Sequence, residues 1–199
     1  MIPRNLLFSV AIMFLVSVAM GVYVWRTRSH DVALGTGAAA STHVTPPASG
    51  PAEQVTFYVA YDDRDVLRKE SVGMPLPSQR QQRAEELLRA LISIYTVKPS
   101  PHPLGAGSEL RNIYFVDPDL AVIDVNETFA DAHPSGVLEE DLTVASLIET
   151  LAANTPGVAR VKILVDGKPR ETLAGHADLT DFYDVAAIHE LAGELQATQ

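Results

Sequence analysis

Residues 142–168 constrain the fold most, because their sequence predicts a helix, a segment that ends it and a buried strand. Apolar side chains recur at helical spacing over the first half of this stretch, at Val144, Leu147, Ile148 and Leu151. The segment Asn-Thr-Pro-Gly at 154–157 ends the helix, since proline and glycine are poor helix formers. An alternating strand follows over residues 158–165, and Asp166-Gly167 is typical of a two-residue turn. The stretch predicts the centre of a hydrophobic core and contains no catalytic motif.

Two hairpins and a second helix are predicted upstream of this stretch. Alternating apolar residues predict strands over residues 55–61, 66–72, 110–116 and 120–125. Ser78 and Gln81 have the spacing of a capping box that opens a helix. The apolar stripe of that helix is formed by Ala84, Leu87, Leu88, Leu91 and Tyr95. Before the helix at residue 142 stand three acidic residues that favour a helix N-terminus: Glu139, Glu140 and Asp141.

The end of the chain predicts two further elements. Residues 169–173 are expected to form a short strand at a sheet edge, because Pro169 cannot donate a hydrogen bond within a sheet. Residues 184–199 carry apolar side chains at helical spacing and predict a short C-terminal helix. The order of elements predicts an α+β fold, in which a mixed sheet of about five or six strands carries two helices on one face. An N-terminal transmembrane helix is expected to precede it.

The N-terminal segment predicts a membrane anchor. Residues 6–25, from Leu6 to Trp25, contain no charged side chain and are long enough to cross a bilayer as a helix. We interpret residues 1–28 as an uncleaved signal anchor, with a cleaved signal peptide or a buried soluble helix as the alternatives. Arg4 lies on one side and Arg26 and Arg28 on the other, so the positive-inside rule gives no clear orientation. We expect the N-terminus inside, because the segments that follow are typical of exported chains.

A linker and a folded domain follow the anchor. Residues 29–53 are rich in alanine, glycine, proline and threonine and predict a flexible coil, which would place its ends roughly 25–30 Å apart. The histidines at positions 30 and 43 are isolated in this coil, so we do not interpret them as a metal site. The folded domain is expected over residues 54–183, and residues 184–199 form a tail.

Charge and motif content exclude several classes of function. The chain of 199 residues has a formal net charge of −10 and a pI near 4.9. This balance argues against duplex nucleic acid as a partner, because phosphates need a basic surface, and against anionic lipid headgroups. The absence of cysteine excludes disulfides, thiolate metal sites, a cysteine nucleophile and a lipidated cysteine. No P-loop, dinucleotide fingerprint, H-E-x-x-H or G-x-S-x-G motif occurs, so no cofactor is expected.

A family resemblance rests on the order and spacing of several segments. They are Val55-Thr56-Phe57-Tyr58, the helix at 84–91, the segment from Leu104-Gly105 to Leu110, and residues 120–125, 146–151, 158–167 and 175–179. Together they resemble the GerMN domain, which occurs in sporulation and germination proteins and in many exported bacterial proteins. The resemblance implies attachment to the outside of the membrane, often through a lipidated cysteine, and membership of a family with no established enzymatic activity. Some members resemble ring-building folds. This chain has no cysteine, so a helical anchor would take that role.

Two clusters are candidate sites. His176 and Asp178 are the most site-like pair, because a histidine near an aspartate can serve as a proton shuttle or a metal pair. The resemblance implies a structural turn at this position instead. Asp62, Asp63 and Asp65 could bind a hard cation through oxygen, but the glycine and glutamate of a calcium loop are missing. The competing interpretation is a solvated hairpin turn.

These observations lead to two hypotheses. The first is a non-catalytic, membrane-anchored domain outside the cytoplasm that binds envelope proteins or peptidoglycan in a sporulation, germination or other envelope assembly. The alternative is an enzyme, for example a hydrolase of envelope polymers that uses His176 and a nearby carboxylate. We expect weak or no self-association of the soluble domain and stronger association in the membrane, where anchoring raises the effective concentration. A helix face packing on a neighbour's sheet is the expected contact.

Overall fold

The fold is built from two β-hairpins, each of which is followed by helices. The computed structural model describes residues 52–116 and 118–197, which form six strands and four helices. The strands are β1 (Glu53–Tyr61), β2 (Val66–Met74), β3 (Leu110–Val116), β4 (Leu120–Val125), β5 (Arg160–Val165) and β6 (Tyr183–Asp184). The helices are α1 (Arg80–Thr96), α2 (Glu127–Asp131), α3 (Val137–Asn154) and α4 (Val185–Ala197). The predicted α+β class is confirmed.

The described strands form two sheets, where the sequence predicted one. β1 and β2 pair antiparallel as a separate two-stranded sheet. The second sheet has the order β3-β4-β5-β6 and is mixed, because β4 and β5 run parallel while its other pairs are antiparallel. The single sheet with both helices on one face is therefore wrong, although the mixed character of the main sheet is as predicted.

The outer edge of β1 explains why the first hairpin does not join the main sheet. Helix α3 presents Ser146, Thr150 and Asn154 at i, i+4 and i+8 along this edge. The Ser146 hydroxyl donates to the Tyr58 carbonyl at 2.6 Å, and the Tyr58 N–H donates to Thr150 Oγ1 at 2.9 Å. Asn154 pairs with both backbone groups of Thr56. Side chains of a helix thus take the place of a neighbouring strand, since buried backbone groups need partners.

The apolar stripes predicted from the sequence form the core. The stripe of α1 is buried as predicted, at Ala84, Leu87, Leu88, Leu91 and Tyr95. The stripe of α3 and the inward face of β5 are buried too, at Val144, Leu147, Ile148, Leu151, Val161, Ile163 and Val165. Helix α3 ends at Asn154, as the Asn-Thr-Pro-Gly segment predicted. The described residues therefore share one core in which α3 lies at the centre.

The helix starts differ from the prediction. Helix α1 begins at Arg80 after Gln79, and no side chain caps it, so the capping box of Ser78 and Gln81 is wrong. The Gln81 amide instead donates to Glu85 within the helix at 3.0 Å. Helix α3 begins at Val137, so the acidic residues expected before it lie in its first turns, and the short helix α2 was not predicted. The Asn126 side chain caps α2 by accepting from the Phe129 N–H at 3.0 Å.

The strand predicted over residues 169–173 is wrong. Asp166 and Gly167 form the predicted turn, with left-handed φ angles of 50° and 71°. After this turn only isolated bridges occur, between Val165 and Lys168 and between Thr172 and Asp178. The edge beside β5 is taken by β6 instead. The chain leaves the sheet here because its next residues bend around the side chain of Glu140, as described below.

The C-terminal helix is confirmed as α4. The predicted anchor at residues 6–25 and almost all of the predicted linker lie outside the described residues. None of the helices within residues 52–197 is both long and apolar enough to span a bilayer. The domain boundaries at residues 54 and 183 stay predictions.

Candidate functional site

A buried carboxylate holds the loop that contains the His176 candidate. The side chain of Glu140 is 0% exposed. Its Oε2 accepts from the backbone N–H groups of Ala174 and Ala177, both at 2.9 Å, and of His176 at 3.0 Å. Its Oε1 lies 3.0 Å from His176 Nδ1. Burial opposes ionisation of Glu140, but these hydrogen bonds outweigh it and lower the pKa to about 2. A charged Glu140 therefore fastens the loop to helix α3.

The His176 and Asp178 candidates have separate partners. The His176 side chain is 43% exposed and bonds to Glu140, while the Asp178 carboxylate accepts from the Thr180 N–H at 2.7 Å and from its hydroxyl at 2.6 Å. The bonds from Thr180 lower the pKa of Asp178. The structure thus places the two side chains in one loop without joining them in a common site.

The three aspartates of the first hairpin turn also have different environments. Asp62 bonds to the ring of His102, Asp63 forms an exposed ion pair with Arg64 at 3.7 Å, and Asp65 adopts a left-handed φ of 55° that the turn requires. Within the described ranges no three His, Asp or Glu side chains are grouped so that they could hold a metal ion. The three aspartates of this turn thus have separate structural roles.

Asp62 begins a chain of polar side chains that runs into the core. His102 contacts Asp62 through Nδ1, and its Nε2 contacts Thr143 Oγ1. His133 Nε2 contacts the same hydroxyl at 2.7 Å, while His133 Nδ1 donates to the Pro134 carbonyl at 2.6 Å. Burial lowers the pKa of His133, and the bond to Pro134 opposes this only partly. The chain Asp62–His102–Thr143–His133 links the turn, the proline-rich loop at 98–108, and helix α3.

The order carboxylate, imidazole, hydroxyl is that of a hydrolytic triad, so accessibility decides its role. Thr143 is 0% exposed and His102 is 1% exposed. A nucleophile must meet its substrate, and this hydroxyl meets only protein, including the Glu139 carbonyl at 3.0 Å. A hydroxyl has one hydrogen to donate, so at least one of the two imidazoles must donate to it. These four hydrogen-bonded side chains therefore connect segments that are distant in sequence, and we call them the polar tie.

A surface cavity lies between helices α3 and α4 beside β1. Its volume is about 550 Å³, within the range of small-molecule and side-chain pockets. Most of its wall is alanine and valine, and the polar groups are Tyr58, Glu149, Asp184 and His189. The residues that line it are Tyr58, Glu149, Ala152, Ala153, Val158, Ala159, Asp184, Val185, Ala186 and His189. The cavity is therefore largely apolar with a few polar groups, as ligand pockets generally are.

Glu149 is the notable polar group of this cavity. Its side chain is 4% exposed, and its Oε2 lies 3.0 Å from Nδ1 of the exposed His189. Its Oε1 is buried and has no hydrogen-bond partner among the described residues. Burial and then the charge of Glu149 raise the pKa of Tyr58, so this phenol stays neutral at physiological pH. An unpaired buried carboxylate oxygen is unfavourable unless something else compensates it.

Sequence analysis missed the residues that matter most in these sites. The sequence predicts Glu140 only as a charge near a helix start, and the sequence-based candidates do not include Glu149 or His102. A signal existed for Glu149, because it interrupts an apolar run between Ile148 and Leu151. The prolines on both sides of His102 indicate a loop, and loops are usually exposed, so the sequence does not predict that His102 is buried.

Known proteins provide an independent comparison. A family model described as Germane, sporulation and spore germination, matches residues 55–171. The tandem GerMN domains of the sporulation protein GerM from Bacillus subtilis share the fold, with a TM-score of 0.50 and 15% identity. That match covers 67% of this chain and 46% of the tandem, so the chain spans about half of that protein's length.

Two further solved structures are similar at lower scores. The first GerMN domain of GerM has a TM-score of 0.47 and 16% identity, over 65% of this chain and 94% of that one. A Clostridium perfringens protein described as a lipoprotein has a TM-score of 0.48 and 19% identity, over 74% of this chain and 93% of that one. No curated protein sequence matches the chain. Because the family model spans more than half of the sequence, the chain belongs to the Germane family of sporulation and spore germination.

Proposed function

We propose that the protein is a non-catalytic domain held outside the cytoplasm by an N-terminal anchor, where it binds envelope proteins or peptidoglycan. Its family is described by sporulation and spore germination, and we infer a role in the cell envelope from that setting. The charge-free residues 6–25 are long enough to provide the anchor. The net charge of −10 supports a soluble domain that stays away from anionic lipid and nucleic acid.

The main support for this proposal is that the buried polar side chains form hydrogen bonds with other parts of the fold. Glu140 bonds to three backbone N–H groups, and Ser146 and Thr150 bond to the backbone of β1. Thr143 is sealed beneath two imidazoles. Groups that an enzyme would present to a substrate instead hold segments of the fold together. The cavity at Glu149, among the described residues, offers a surface to which a partner can bind.

A topology experiment tests the location. A reporter that is active only outside the cytoplasm, fused after Gln199, should be active in cells that make the full chain. Deleting residues 1–28 should release the protein from the membrane fraction. An inactive reporter in an intact fusion would reverse the orientation, and a truncated chain that still sediments with membranes would refute the anchor.

Crosslinking tests the binding role. In membranes that contain the full chain, a short crosslinker should join it to another copy or to an envelope protein. Contact between copies through a helix face on a neighbour's sheet is the arrangement that we favour, because anchoring confines the copies to one plane. A full-length chain that crosslinks to nothing and does not sediment with isolated cell wall would refute the binding role.

A further inference from the structure

The cavity between α3 and α4 contains a carboxylate of which one oxygen has no partner in the described part of the fold. Glu149 Oε1 has no hydrogen-bond partner among the described residues, and the side chain is 4% exposed. Buried carboxylates elsewhere in the domain are fully engaged, as the four contacts of Glu140 illustrate. Glu149 is therefore the buried carboxylate among the described residues that has an oxygen left for a further partner.

We propose that this cavity binds the side-chain ammonium of a lysine from a protein partner, with Glu149 as its counter-ion. The inference rests on the proposed function and names the chemistry of its partner. An alkyl stem followed by a single positive charge fits a wall of alanine and valine that ends in a carboxylate. The neutral Tyr58 phenol in the same wall offers a further polar contact.

The second oxygen of Glu149 favours ammonium over guanidinium. Its Oε2 already lies 3.0 Å from His189 Nδ1, so one oxygen remains. An arginine fork binds a carboxylate best through both oxygens at once, whereas an ammonium acts as a point charge and needs one. The geometry therefore selects lysine.

The surroundings of the cavity are acidic, which supports a cation. No Lys or Arg is among the described residues that line it. Asp184 lies on the rim, where its carboxylate accepts from the Ala186 N–H at 2.8 Å and so offsets the positive N-terminus of α4. The whole chain carries a net charge of −10. Cell-wall peptides carry carboxylates beside their ammonium groups, so the same field favours a basic protein surface over peptidoglycan.

Amino acid amides test the proposal on the full chain in detergent micelles. The probes are the Nα-acetyl N-methylamides of lysine, norleucine and arginine, at equal ionic strength, and the readout is the methyl NMR signals of Ala152, Ala153 and Val158. The lysine probe should shift these signals saturably and at a lower concentration than the other two. Equal binding of norleucine would show that the charge is irrelevant, and tighter binding of arginine would overturn the choice of ammonium. The absence of any shift would overturn the site.

Two variants and a matched control isolate Glu149. Glu149→Gln keeps the shape and removes the charge, and it should raise the half-saturation concentration roughly tenfold or more. Glu190→Gln, on the exposed side of α4, should change it by less than about twofold. Ala153→Met leaves Glu149 in place and narrows the cavity from its exposed side, so it should weaken the lysine probe even if Glu149→Gln folds poorly. Binding that survives both cavity variants would refute the site.

A final arm separates this inference from the proposed function. A soluble cell-wall peptide with a free side-chain ammonium should bind more weakly than a lysine peptide, and tighter binding would overturn the choice of a protein partner. If the lysine probe fails while the full chain still crosslinks to an envelope protein in membranes, the inference falls and the proposed function stands. If the full chain also crosslinks to nothing and does not sediment with isolated cell wall, both fall.

Discussion

The side-chain amide of Asn154 forms two hydrogen bonds with the backbone of Thr56. Its Oδ1 accepts from the Thr56 N–H at 3.0 Å, and its Nδ2 donates to the Thr56 carbonyl at 2.6 Å. This is the pattern by which a residue of a neighbouring antiparallel strand would pair with Thr56. A single side chain at the last residue of α3 thus reproduces a unit of β-sheet pairing.

Replacing Asn154 should therefore destabilise the domain. Asn154→Ala leaves both Thr56 groups without a partner and should lower the free energy of unfolding by about 2 kcal/mol. Asn154→Asp keeps the acceptor but places a carboxylate against the Thr56 carbonyl, and it should be at least as harmful. The measurement is urea denaturation of the full chain followed by far-UV circular dichroism, because its one tryptophan, Trp25, lies in the predicted anchor. The exposed Gln82→Ala is the control, with an expected change within about 0.5 kcal/mol.

Acid should destabilise the protein through Glu140. Its pKa in the fold is about 2 and its ordinary value is 4.5, so the unfolded chain binds the proton more readily. The stabilisation is fully present above pH 4.5 and is lost as the pH falls towards 2, and it amounts to about 3 kcal/mol. Urea denaturation at pH 7 and at points between 4.5 and 2 measures it. Glu140→Gln should be less stable at pH 7 and should lose this part of the pH dependence, whereas Glu190→Gln should retain it.

The buried hydroxyl of Thr143 should be more important than its methyl group. Thr143→Val keeps the volume but leaves the facing nitrogens of His102 and His133 without a polar partner, which should cost about 2 kcal/mol or more. Thr143→Ser keeps the hydroxyl and should cost less, about 1 kcal/mol. Thermal unfolding of the two variants side by side tests this order. A valine variant as stable as the serine variant would mean that the polar tie does not contribute to stability.

His176 distinguishes the binding hypothesis from the enzymatic one. Its ring is 43% exposed and makes one contact to Glu140, so His176→Ala should reduce stability by only about 1 kcal/mol. Biological activity should then fall no further than the amount of folded protein. A variant that keeps its folded amount in the membrane yet loses activity would favour the hydrolase alternative. Asp178→Asn, in the same loop but with separate partners, is the matched comparison.

Membrane attachment should control self-association. Light scattering on residues 54–199 should report a monomer or a weakly associating species at micromolar concentration. The full chain in membranes should crosslink more readily at equal total amount, since two-dimensional confinement raises the effective concentration. A tight dimer of the soluble fragment in free solution would contradict this expectation.

Local signals were enough to predict most of the elements. The spacing of Leu87, Leu88 and Leu91, the alternation in residues 160–165 and the Asp166-Gly167 turn each have a short-range cause, and all appear in the structure. The fold class followed from their order. These features depend on neighbours within a few residues, which a sequence displays directly.

The errors have long-range causes. One predicted sheet became two because the outer edge of β1 pairs with side chains of α3 and not with a further strand, which a strand count does not consider. The strand predicted at 169–173 does not form because the backbone that follows it donates hydrogen bonds to Glu140, more than thirty residues earlier in the chain. The cavity at Glu149 depends on how α3, α4 and β1 meet. A polar stripe at i, i+4 and i+8, namely Ser146, Thr150 and Asn154, was visible in the sequence, but its partner strand was not.

The covering of β1 also sets an order of events during folding. The α3 side chains along its outer edge lie 88 to 98 positions later in the chain than the backbone groups they satisfy, whereas the Tyr95 hydroxyl that accepts from the Ala60 N–H lies only 35 positions later. A hairpin that forms first, while the C-terminal half is still being synthesised or exported, keeps an open row of hydrogen-bonding groups until α3 arrives. We therefore expect the nascent chain to be most vulnerable to aggregation, and most dependent on chaperones, in the interval before residue 154 emerges.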